Sequence, residues 1–410
     1  MVPAPQDGSS TPIRVLHMLG SPTSKFYFDL SIMYGRTCAE FEGLDRKTFV
    51  HEFAVVNLDG KWGFPATLAD DQVKEAAASS MGVGAAMARI EAQQPPVDVV
   101  VPHMFCLEGM THYRGLCEVL GVEVLGCCAQ TCAVGQDKFL TKAVCQAAGV
   151  SVPRGEMLRK DQHGGDVSAA AERLLKTWSA PLIIKPARED NSIGLSLVKQ
   201  GTVEDVAKAL SKGFQFDDFI LVEEYIAGRE CRVAVLEVEE PGGGLRLEVL
   251  PKLEYVLEDI REQKHKLGTD ASGKLLTGDG NVAEALQKAK EEGERICPAH
   301  FEPEVDARLN ELVRRAHVAL GCKYYSLYDI RINKEGYPFM LESCLFCSFS
   351  PYSVIVTLAG KTEGEALQPH PKVFEALLRR AAAETRERRG AAACDGDVPS
   401  SGGVKRRRVA

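Results

Sequence analysis

The stretch YSLYDIRINKEGYPFMLE, residues 325–342, decides the fold because it combines strand-like alternation with a turn signal typical of a β-hairpin. Asp329 and Arg331 share one face of the first strand, and the second strand ends at Glu342. A loop of two or four residues places the two carboxylates opposite each other, whereas a three-residue loop places them on opposite faces. Facing carboxylates repel unless they share a hard cation. The hairpin therefore predicts a Mg²⁺ site, with an exposed polar sheet face as the alternative.

A second informative segment is PLIIKP, residues 181–186, which places Lys185 at the end of an apolar strand. A buried ammonium needs an anionic partner, and a phosphate would supply one. The polar segment 188–194 follows and ends in glycine, as phosphate-covering loops need; a lysine in a surface ion pair is the alternative. Glu223 and Glu230 flank a turn and are candidates for binding ribose hydroxyls or a second cation, with solvated charge as the alternative.

The N-terminal third alternates short apolar runs with helical patterns, which predicts a parallel, Rossmann-like sheet. The predicted strands are 13–19, 53–58, 97–101 and 122–125. Ligands collect beyond the carboxyl ends of strands in such sheets, so Gly20-Ser21 and segment 103–109 are candidate binding loops. His103 is a candidate for polarising a substrate there, with a structural hydrogen bond as the alternative. Neither loop contains G-x-G-x-x-G, so the sequence does not support a nicotinamide cofactor.

The order of these patterns predicts an α/β (α+β) protein, with further strands in the second half at 182–184, 196–198, 220–223, 232–238 and 245–250. The predicted segments are a disordered tail at 1–12, the Rossmann-like domain at 13–126, a small α+β subdomain at 127–224, a larger subdomain with the metal site at 225–360, and a helix with a disordered basic tail at 361–410. The small and charged residues from Glu384 onward predict that the tail begins there.

The composition excludes several classes of protein. The 410 residues carry a formal net charge of -8, so the body has no basic footprint for nucleic acid. The 13 cysteines are odd in number and lack paired C-x-x-C sets, which predicts reduced thiols and a cytoplasmic location. The basic run at 405–408 leaves nuclear import as an alternative. No window reaches the roughly 18 consecutive apolar residues of a membrane span, so we expect no membrane partner.

Taken in order, the helix at Lys138, the strand end at Lys185-Pro186, the block 223–230 and the Asp329/Glu342 hairpin resemble the ATP-grasp superfamily, and within it the D-alanine:D-alanine ligase branch. The resemblance covers residues 13–359, and its specificity lies in order and spacing. It implies an ATP-grasp fold behind the Rossmann-like domain. It also implies an enzyme that forms C–N bonds and converts ATP to ADP and phosphate.

The resemblance further implies roles for particular residues. The implied ATP-binding residues are Lys138, Lys185, Ser192, Glu223, Ile226, Glu230 and Lys266. The implied ligands of Mg²⁺, with Mn²⁺ as an alternative, are Asp329 and Glu342. The implied catalytic residues are Lys185, Ser192 and Arg331, and the implied substrate-binding residues are His103, Ser348 and Ser353. Related ligases are often dimers, although no pattern in this sequence defines an interface.

Three departures from the family pattern change what the resemblance implies. The first glycine-rich loop, residues 20–26, lacks the acid that would bind the ammonium of a first amino acid. Cys344 stands in place of a metal-binding asparagine, and a thiol is a poor ligand for Mg²⁺. Leu327 stands in place of the arginine that steadies the acyl-phosphate. We expect Arg331, on the same face, to substitute for it.

Four stretches carry a narrower resemblance: 13–20, 26–30, 102–111 and 341–350. They are similar to the ligase-like enzyme of mycosporine-like amino-acid biosynthesis. That similarity implies small-molecule substrates, with serine or threonine joined to a mycosporine-glycine ketone that ATP has activated. The alternatives are a dipeptide ligase, and an ATP-binding regulatory protein that has lost catalysis.

Overall fold

The structure of the protein is a computed structural model, which describes residues 11–163, 166–240, 242–261, 295–351, 353–362 and 371–395. Three sheets organise these residues: a largely parallel sheet near the N-terminus, a four-stranded antiparallel sheet and a six-stranded antiparallel sheet. Helices cover the sheets, which gives the mixed α/β class that the sequence predicts.

The first sheet holds the predicted Rossmann-like strands. Its elements are β1 (Ile13–Gly20), α1 (Lys25–Ala39), β2 (Phe49–Val56), β3 (Trp62–Gly63), α2 (Asp70–Ala78), α3 (Val83–Glu91), β4 (Val99–Pro102), α4 (Arg114–Val119) and β5 (Glu123–Val124). The strand order is β3-β2-β1-β4-β5, and all neighbours except β2 and β3 are parallel. The second strand ends two residues earlier than predicted, because Asn57 accepts a hydrogen bond from Gly60 in a tight turn. Gly20 and His103 lie at carboxyl ends of strands, as expected.

The second sheet is small and carries two helices. Its region comprises α5 (Ala129–Gln136), α6 (Lys138–Ala147), β6 (Gly155–Arg159), α7 (Val167–Thr177), β7 (Leu182–Pro186), β8 (Ser196–Val198), α8 (Val203–Gly213) and β9 (Phe219–Glu224). The strand order is β6-β9-β7-β8. Leu174 of α7 and Leu210 of α8 are fully buried against the sheet in a core of their own. Burying a leucine side chain contributes about 1.5–3 kcal/mol, so this core holds the small sheet together.

The third sheet contains the hairpin. Its region comprises β10 (Gly228–Glu239), β11 (Leu245–Val249), β12 (Leu253–Tyr255), β13 (Arg295–Ile296), α9 (Pro303–Leu320), β14 (Tyr325–Asn333), β15 (Pro338–Cys344), α10 (Val354–Ala359) and α11 (Lys372–Asp395). The order is β13-β12-β10-β14-β15, and β11 also pairs with β10. The predicted pairing of two strands across the Gly242 turn is therefore confirmed.

A β-bulge, and not the length of the hairpin loop, brings the two hairpin carboxylates opposite each other. Asn333 donates its backbone N–H to the Tyr337 carbonyl at 3.0 Å, so the loop holds three residues, the length that alone would separate the carboxylates. A β-bulge next to Asp329 then shifts the register by one residue. Asp329 consequently pairs with Glu342, and Leu341 is the extra residue.

The predicted start of the C-terminal tail at Glu384 is wrong, because helix α11 continues to Asp395. Thr385 is fully buried and its hydroxyl accepts a hydrogen bond from the Glu123 backbone at 3.0 Å. Phe374 is also fully buried, in the core that the first and third sheets share. The run of small residues suggested disorder, yet alanine is the best helix former.

Within the ranges described above, no helix is both long enough and apolar enough to cross a membrane. The cysteine side chains described in those ranges are free thiols, and most of them are buried. They contribute to the apolar cores as small hydrophobic residues.

Candidate active site

A pocket lies between the four-stranded and six-stranded sheets. Its walls come from β7, the loop after β7, β9, β10, β14, β15 and the first turn of α6. The predicted site residues that line it are Lys138, Lys185, Ser192, Glu223, Ile226, Glu230, Asp329, Arg331 and Glu342. Groups from distant parts of the sequence thus converge on one space.

Lys138 enters the pocket from the first turn of α6. Asp137 caps this helix, its carboxylate accepting hydrogen bonds from the backbone of Phe139 and Leu140 at 2.9 and 3.0 Å. A lysine at a helix N-terminus opposes the helix dipole, so an anion is needed nearby. Glu342 lies 3.8 Å from the Lys138 ammonium, which also donates to the Glu189 carbonyl.

Lys185 lies at the end of β7, as predicted, and belongs to a buried trio of charges. Its ammonium is 2.6 Å from Glu223, and Lys142 of α6 contacts the same carboxylate. Burial lowers the pKa of Lys142 to about 7, although Glu223 pulls it upward. Burial opposes the charge of Glu223, but the two lysines outweigh it and lower the pKa of that carboxyl. Two cations therefore share one anion beside the pocket.

The loop after β7 covers one side of the pocket in a strained conformation. Gly194 has a φ of 72°, as the sequence predicts, and Asn191 and Ser192 also have positive φ values of 55° and 61°. Arg188 anchors the base of the loop by forking onto Asp217. Ser192 donates its hydroxyl to the Arg261 carbonyl at 2.8 Å. Such a loop presents polar groups inward, as phosphate-covering loops do.

Arg331 lies at the end of the pocket formed by the β9–β10 hinge. Its guanidinium donates to Glu230 at 3.1 Å, to the Tyr225 hydroxyl at 3.1 Å and to the Gly228 carbonyl at 2.9 Å. It also stacks on the Tyr225 ring. Arg331 thus makes its contacts at the hinge next to Ile226, whereas Arg232 and Arg261 form the ion pairs with Asp329.

Asp329 and Glu342 form the other end of the pocket. Asp329 is buried, and Arg232 of β10 and Arg261 both form ion pairs with it. Arg261 also stacks on Tyr255 at 4.2 Å. Charge-assisted hydrogen bonds from two arginines hold this carboxylate fixed in place.

The donors at this end fit Mg²⁺ that is bridged by phosphate. Among the described residues, no group of three or more His, Cys, Asp or Glu side chains could hold a metal ion. Mg²⁺, however, is usually bound through one or two carboxylates together with substrate phosphates. Asp329 and Glu342 supply that pair, whereas the soft Cys344 thiol adds no suitable ligand.

The predicted substrate residues lie outside this pocket, toward the first sheet. His103 is fully buried, and its Nε2 shares a hydrogen bond with His17 at 2.9 Å. The other ring nitrogen of His17 is 2.7 Å from His51, so three imidazoles form a chain. Burial, helped by the charge of Arg114, lowers the pKa of His103 to about 3. His103 is therefore neutral at ordinary pH.

Ser348 and Ser353 lie in and just after the loop that follows β15. Ser348 is buried and accepts a hydrogen bond from the Ser350 backbone at 3.2 Å. The same loop meets the segment after β4 where Phe346 contacts Phe105, with ring centroids 5.9 Å apart. The two predicted substrate segments therefore adjoin each other.

Sequence reasoning missed three charged residues of this site and could not place a fourth. Lys142 follows Lys138 by one helical turn, and Arg232 follows Glu230 by two strand positions, so spacing offered a signal for both. Arg261 lies in a long charged stretch without any pattern. Lys266, predicted to bind ATP, lies outside the described residues.

Comparison of the sequence with protein families and curated proteins gives partial matches. The profile of the family described as D-ala D-ala ligase C-terminus matches residues 144–263. The D-alanine–D-alanine ligase of Geobacter sulfurreducens is 28% identical over 251 residues, which are 61% of this chain and 67% of that protein. Three further curated relatives are matched over 62–66% of their length. The chain thus spans about two thirds of the curated relatives it matches.

Solved structures match over nearly the whole chain. The D-alanine-D-alanine ligase from Coxiella burnetii superposes with a TM-score of 0.69 at 18% identity, covering 93% of this chain and 97% of its own. The VanG D-Ala:D-Ser ligase from Enterococcus faecalis gives 0.67 at 19% identity, covering 92% and 100%. These likenesses confirm the predicted ATP-grasp fold with its N-terminal parallel-sheet domain. The named relatives support the prediction that the chain is a ligase-type enzyme.

Proposed function

We propose that the protein is an ATP-dependent ligase of the D-alanine–D-alanine ligase-like type, which forms a C–N bond between two small molecules. One observation carries this proposal: a single pocket unites two lysines, a polar loop with positive φ angles and a facing pair of carboxylates. Binding of a nucleotide triphosphate needs cations and a loop for the phosphates, and oxygens for Mg²⁺. The similarity to named ligases agrees with this reading.

The positions of the residues suggest how ATP lies in the pocket. Lys138 and Lys185 would contact the phosphates, and the loop carrying Ser192 would cover them. The hinge at Ile226 would hold adenine. The Glu223 carboxylate would not bind adenine itself, because two lysines already contact it. Glu230, fixed by Arg331, would accept hydrogen bonds from the ribose.

The proposed reaction has two steps. An oxygen of the first substrate attacks the γ-phosphorus, and the bond to the bridging oxygen breaks so that ADP leaves with the electron pair. An amine then attacks the activated carbon, phosphate leaves with the electrons of its C–O bond, and the amine loses a proton. Asp329 and Glu342 would hold Mg²⁺, which neutralises phosphate charge when bound. The chain otherwise positions and neutralises the reacting groups.

For the substrates, we propose serine or threonine as the amine and mycosporine-glycine as the activated ketone. Support comes from the loop at residues 20–26, whose sequence lacks the acid that would bind the ammonium of a first amino acid. A dipeptide ligase is the second candidate, which the names of the relatives favour. Cys344 and Leu327 favour the third candidate, a regulatory ATP-binding protein.

Phosphate release from MgATP tests this proposal. The purified protein is given single amino acids, amino-acid pairs, and serine or threonine with mycosporine-glycine. Release that needs the cyclic ketone supports the mycosporine assignment, whereas release with amino-acid pairs alone identifies a dipeptide ligase. ATP binding without amine-dependent release identifies the regulatory protein. No ATP binding at all contradicts the proposed function.

Two variants test the assigned roles in the same assay. We expect Lys185→Ala and Glu342→Gln each to lower amine-dependent phosphate release by at least about 100-fold, because each removes a charge that acts on the phosphates. Lys160→Ala, an exposed lysine of the small sheet, and Glu335→Gln, in the exposed hairpin loop, are matched controls and should keep wild-type rates. Unchanged release by Lys185→Ala or Glu342→Gln would reject the role of that residue.

A further inference from the structure

Arg232 is fixed against the hairpin carboxylate by strand pairing. It lies directly opposite Asp329 in the β10–β14 register, so both side chains are on the same face of the sheet. Its Nε and Nη2 donate to the two carboxylate oxygens in a fork, the second at 3.1 Å. The remaining nitrogen, Nη1, makes no hydrogen bond to any described residue. Arg232 is therefore held in a fixed position and keeps an N–H donor, on Nη1, that no described residue uses.

The two arginines that pair with Asp329 differ in their relation to the nucleotide pocket. Arg261 lines the nucleotide pocket, whereas Arg232 is absent from the described lining of that pocket. Along this face of the third sheet, the register runs from Glu230 and Arg331 at the hinge, through Arg232 and Asp329, to Leu327 and Cys344. The loop after Cys344 meets the segment after β4, where Phe346 contacts Phe105. Arg232 thus lies between the hinge and the end of the third sheet that leads to the first sheet.

Neither of the two other residues discussed for the phosphoryl-binding role, Leu327 and Arg331, supplies a guanidinium beside Asp329. Leu327 is buried in the core that the first and third sheets share, and it carries no charge. Arg331 makes its hydrogen bonds with Glu230 and the Tyr225 hydroxyl at the hinge. A transferred phosphoryl group has to pass from the nucleotide pocket toward the first substrate. Arg232 is the guanidinium placed along that direction.

We infer that Arg232 binds the transferred phosphoryl group, which makes it a catalytic residue of this chain. The inference rests on the proposed function. The fork onto Asp329 fixes the guanidinium, and its free N–H groups donate to phosphoryl oxygens as the bond to ADP breaks and the bond to the substrate oxygen forms. A guanidinium fixed in this way needs no reorganisation when the charge develops.

The test measures binding of transition-state mimics, so it does not require the substrates to be known. The dissociation constants of MgATP, of MgADP and of MgADP with aluminium fluoride are measured for the full-length protein and for Arg232→Met. We expect aluminium fluoride to tighten MgADP binding by at least about 100-fold in the wild type. In Arg232→Met we expect a tightening of about 10-fold or less. The tightening is taken relative to each protein's own MgADP affinity, so an effect of the lost fork on Asp329 and Mg²⁺ that weakens both states equally cancels.

Arg229→Met is the matched control, because Arg229 lies on the same strand and forks onto Glu254 at 2.6 Å, away from the pocket. It should keep the full effect of aluminium fluoride. Arg232→Lys keeps the charge but loses the fork, so we expect aluminium fluoride to tighten MgADP binding at least about 10-fold less in this variant than in the wild type. Arg232→Lys serves as the test variant if Arg232→Met does not fold.

Equal tightening in the wild type and the folded Arg232 variants would overturn the inference, and so would MgATP binding with no tightening in any protein. A wild type that does not bind MgATP would instead overturn the proposed function.

Discussion

Replacing Glu223 by glutamine removes the anion of a buried trio while keeping its shape. The Glu223 side chain is 2% exposed, and those of Lys142 and Lys185 are 7% and 10% exposed. In Glu223→Gln two buried ammonium groups face each other without a carboxylate. Breaking a buried pair in this way costs about 3–5 kcal/mol. At roughly 2 °C per kcal/mol for a large domain, the melting temperature should fall by about 6–10 °C.

The loss should also depend on pH in a defined direction. Burial already lowers the pKa of Lys142 to about 7, and removing Glu223 takes away the attraction that opposes this shift. The folded variant then binds fewer protons than the folded wild type, whose Lys142 takes up a proton near pH 7, and fewer than the unfolded chain, in which a lysine has a pKa of about 10.4. Stability therefore rises with pH across that window. The deficit of Glu223→Gln should be larger at pH 6.5 than at pH 9.

Urea and thermal unfolding at pH 6.5 and pH 9, followed by circular dichroism, measure this effect. The double variant Glu223→Gln/Lys142→Met should recover part of the loss, because it removes one of the two unpaired charges. Glu224→Gln is the matched control on the same strand; its ion pair with Arg154 is exposed and is worth about 1 kcal/mol or less. A deficit of Glu223→Gln below about 1 kcal/mol at pH 6.5, or one independent of pH, would refute the reasoning.

Two further predictions concern the first sheet. Burial lowers the pKa of His17 and His103, so below about pH 6.5 the unfolded chain binds more protons than the folded one. The free energy of unfolding should therefore drop by about 1.4 kcal/mol per pH unit for each histidine as the pH falls. Urea titration between pH 7 and 5 measures this drop, and a flat profile would contradict it. Phe374→Ala should lower the free energy of unfolding by about 3–5 kcal/mol, because it leaves a cavity at a fully buried site on α11. Arg379→Ala, at an exposed position of the same helix, should lower it by about 1 kcal/mol or less in the same measurement. Equal effects would show that α11 is not docked as described.

Much of the architecture was predictable because its signals are local. The strand Ser196–Val198 has the predicted bounds. The strand that ends at Lys185-Pro186 and the positive φ of Gly194 are both found where the sequence predicts them. Periodicity and turn residues encode such features within a few positions.

Other features could not be predicted from the sequence, because they depend on residues that lie far away in the chain. The hairpin loop has three residues, and only the bulge beside Asp329 brings Glu342 opposite to it. A bulge leaves little mark on a local pattern. The part of helix α11 from Glu384 to Asp395 resembled a tail, because the stability of this helix comes from docking on the first and third sheets.

The sequence by itself determined which charged groups exist and on which elements they lie, since strand and helix periods follow from the backbone. Tertiary structure alone decided which of them meet. Arg331 and Arg232 are both strand arginines near the hairpin carboxylates, yet strand pairing sends one to Glu230 at the hinge and the other to Asp329. The reason is physical: pairing between β10 and β14 fixes which side chains face each other, and these two strands lie far apart in the sequence, so no local pattern records their register.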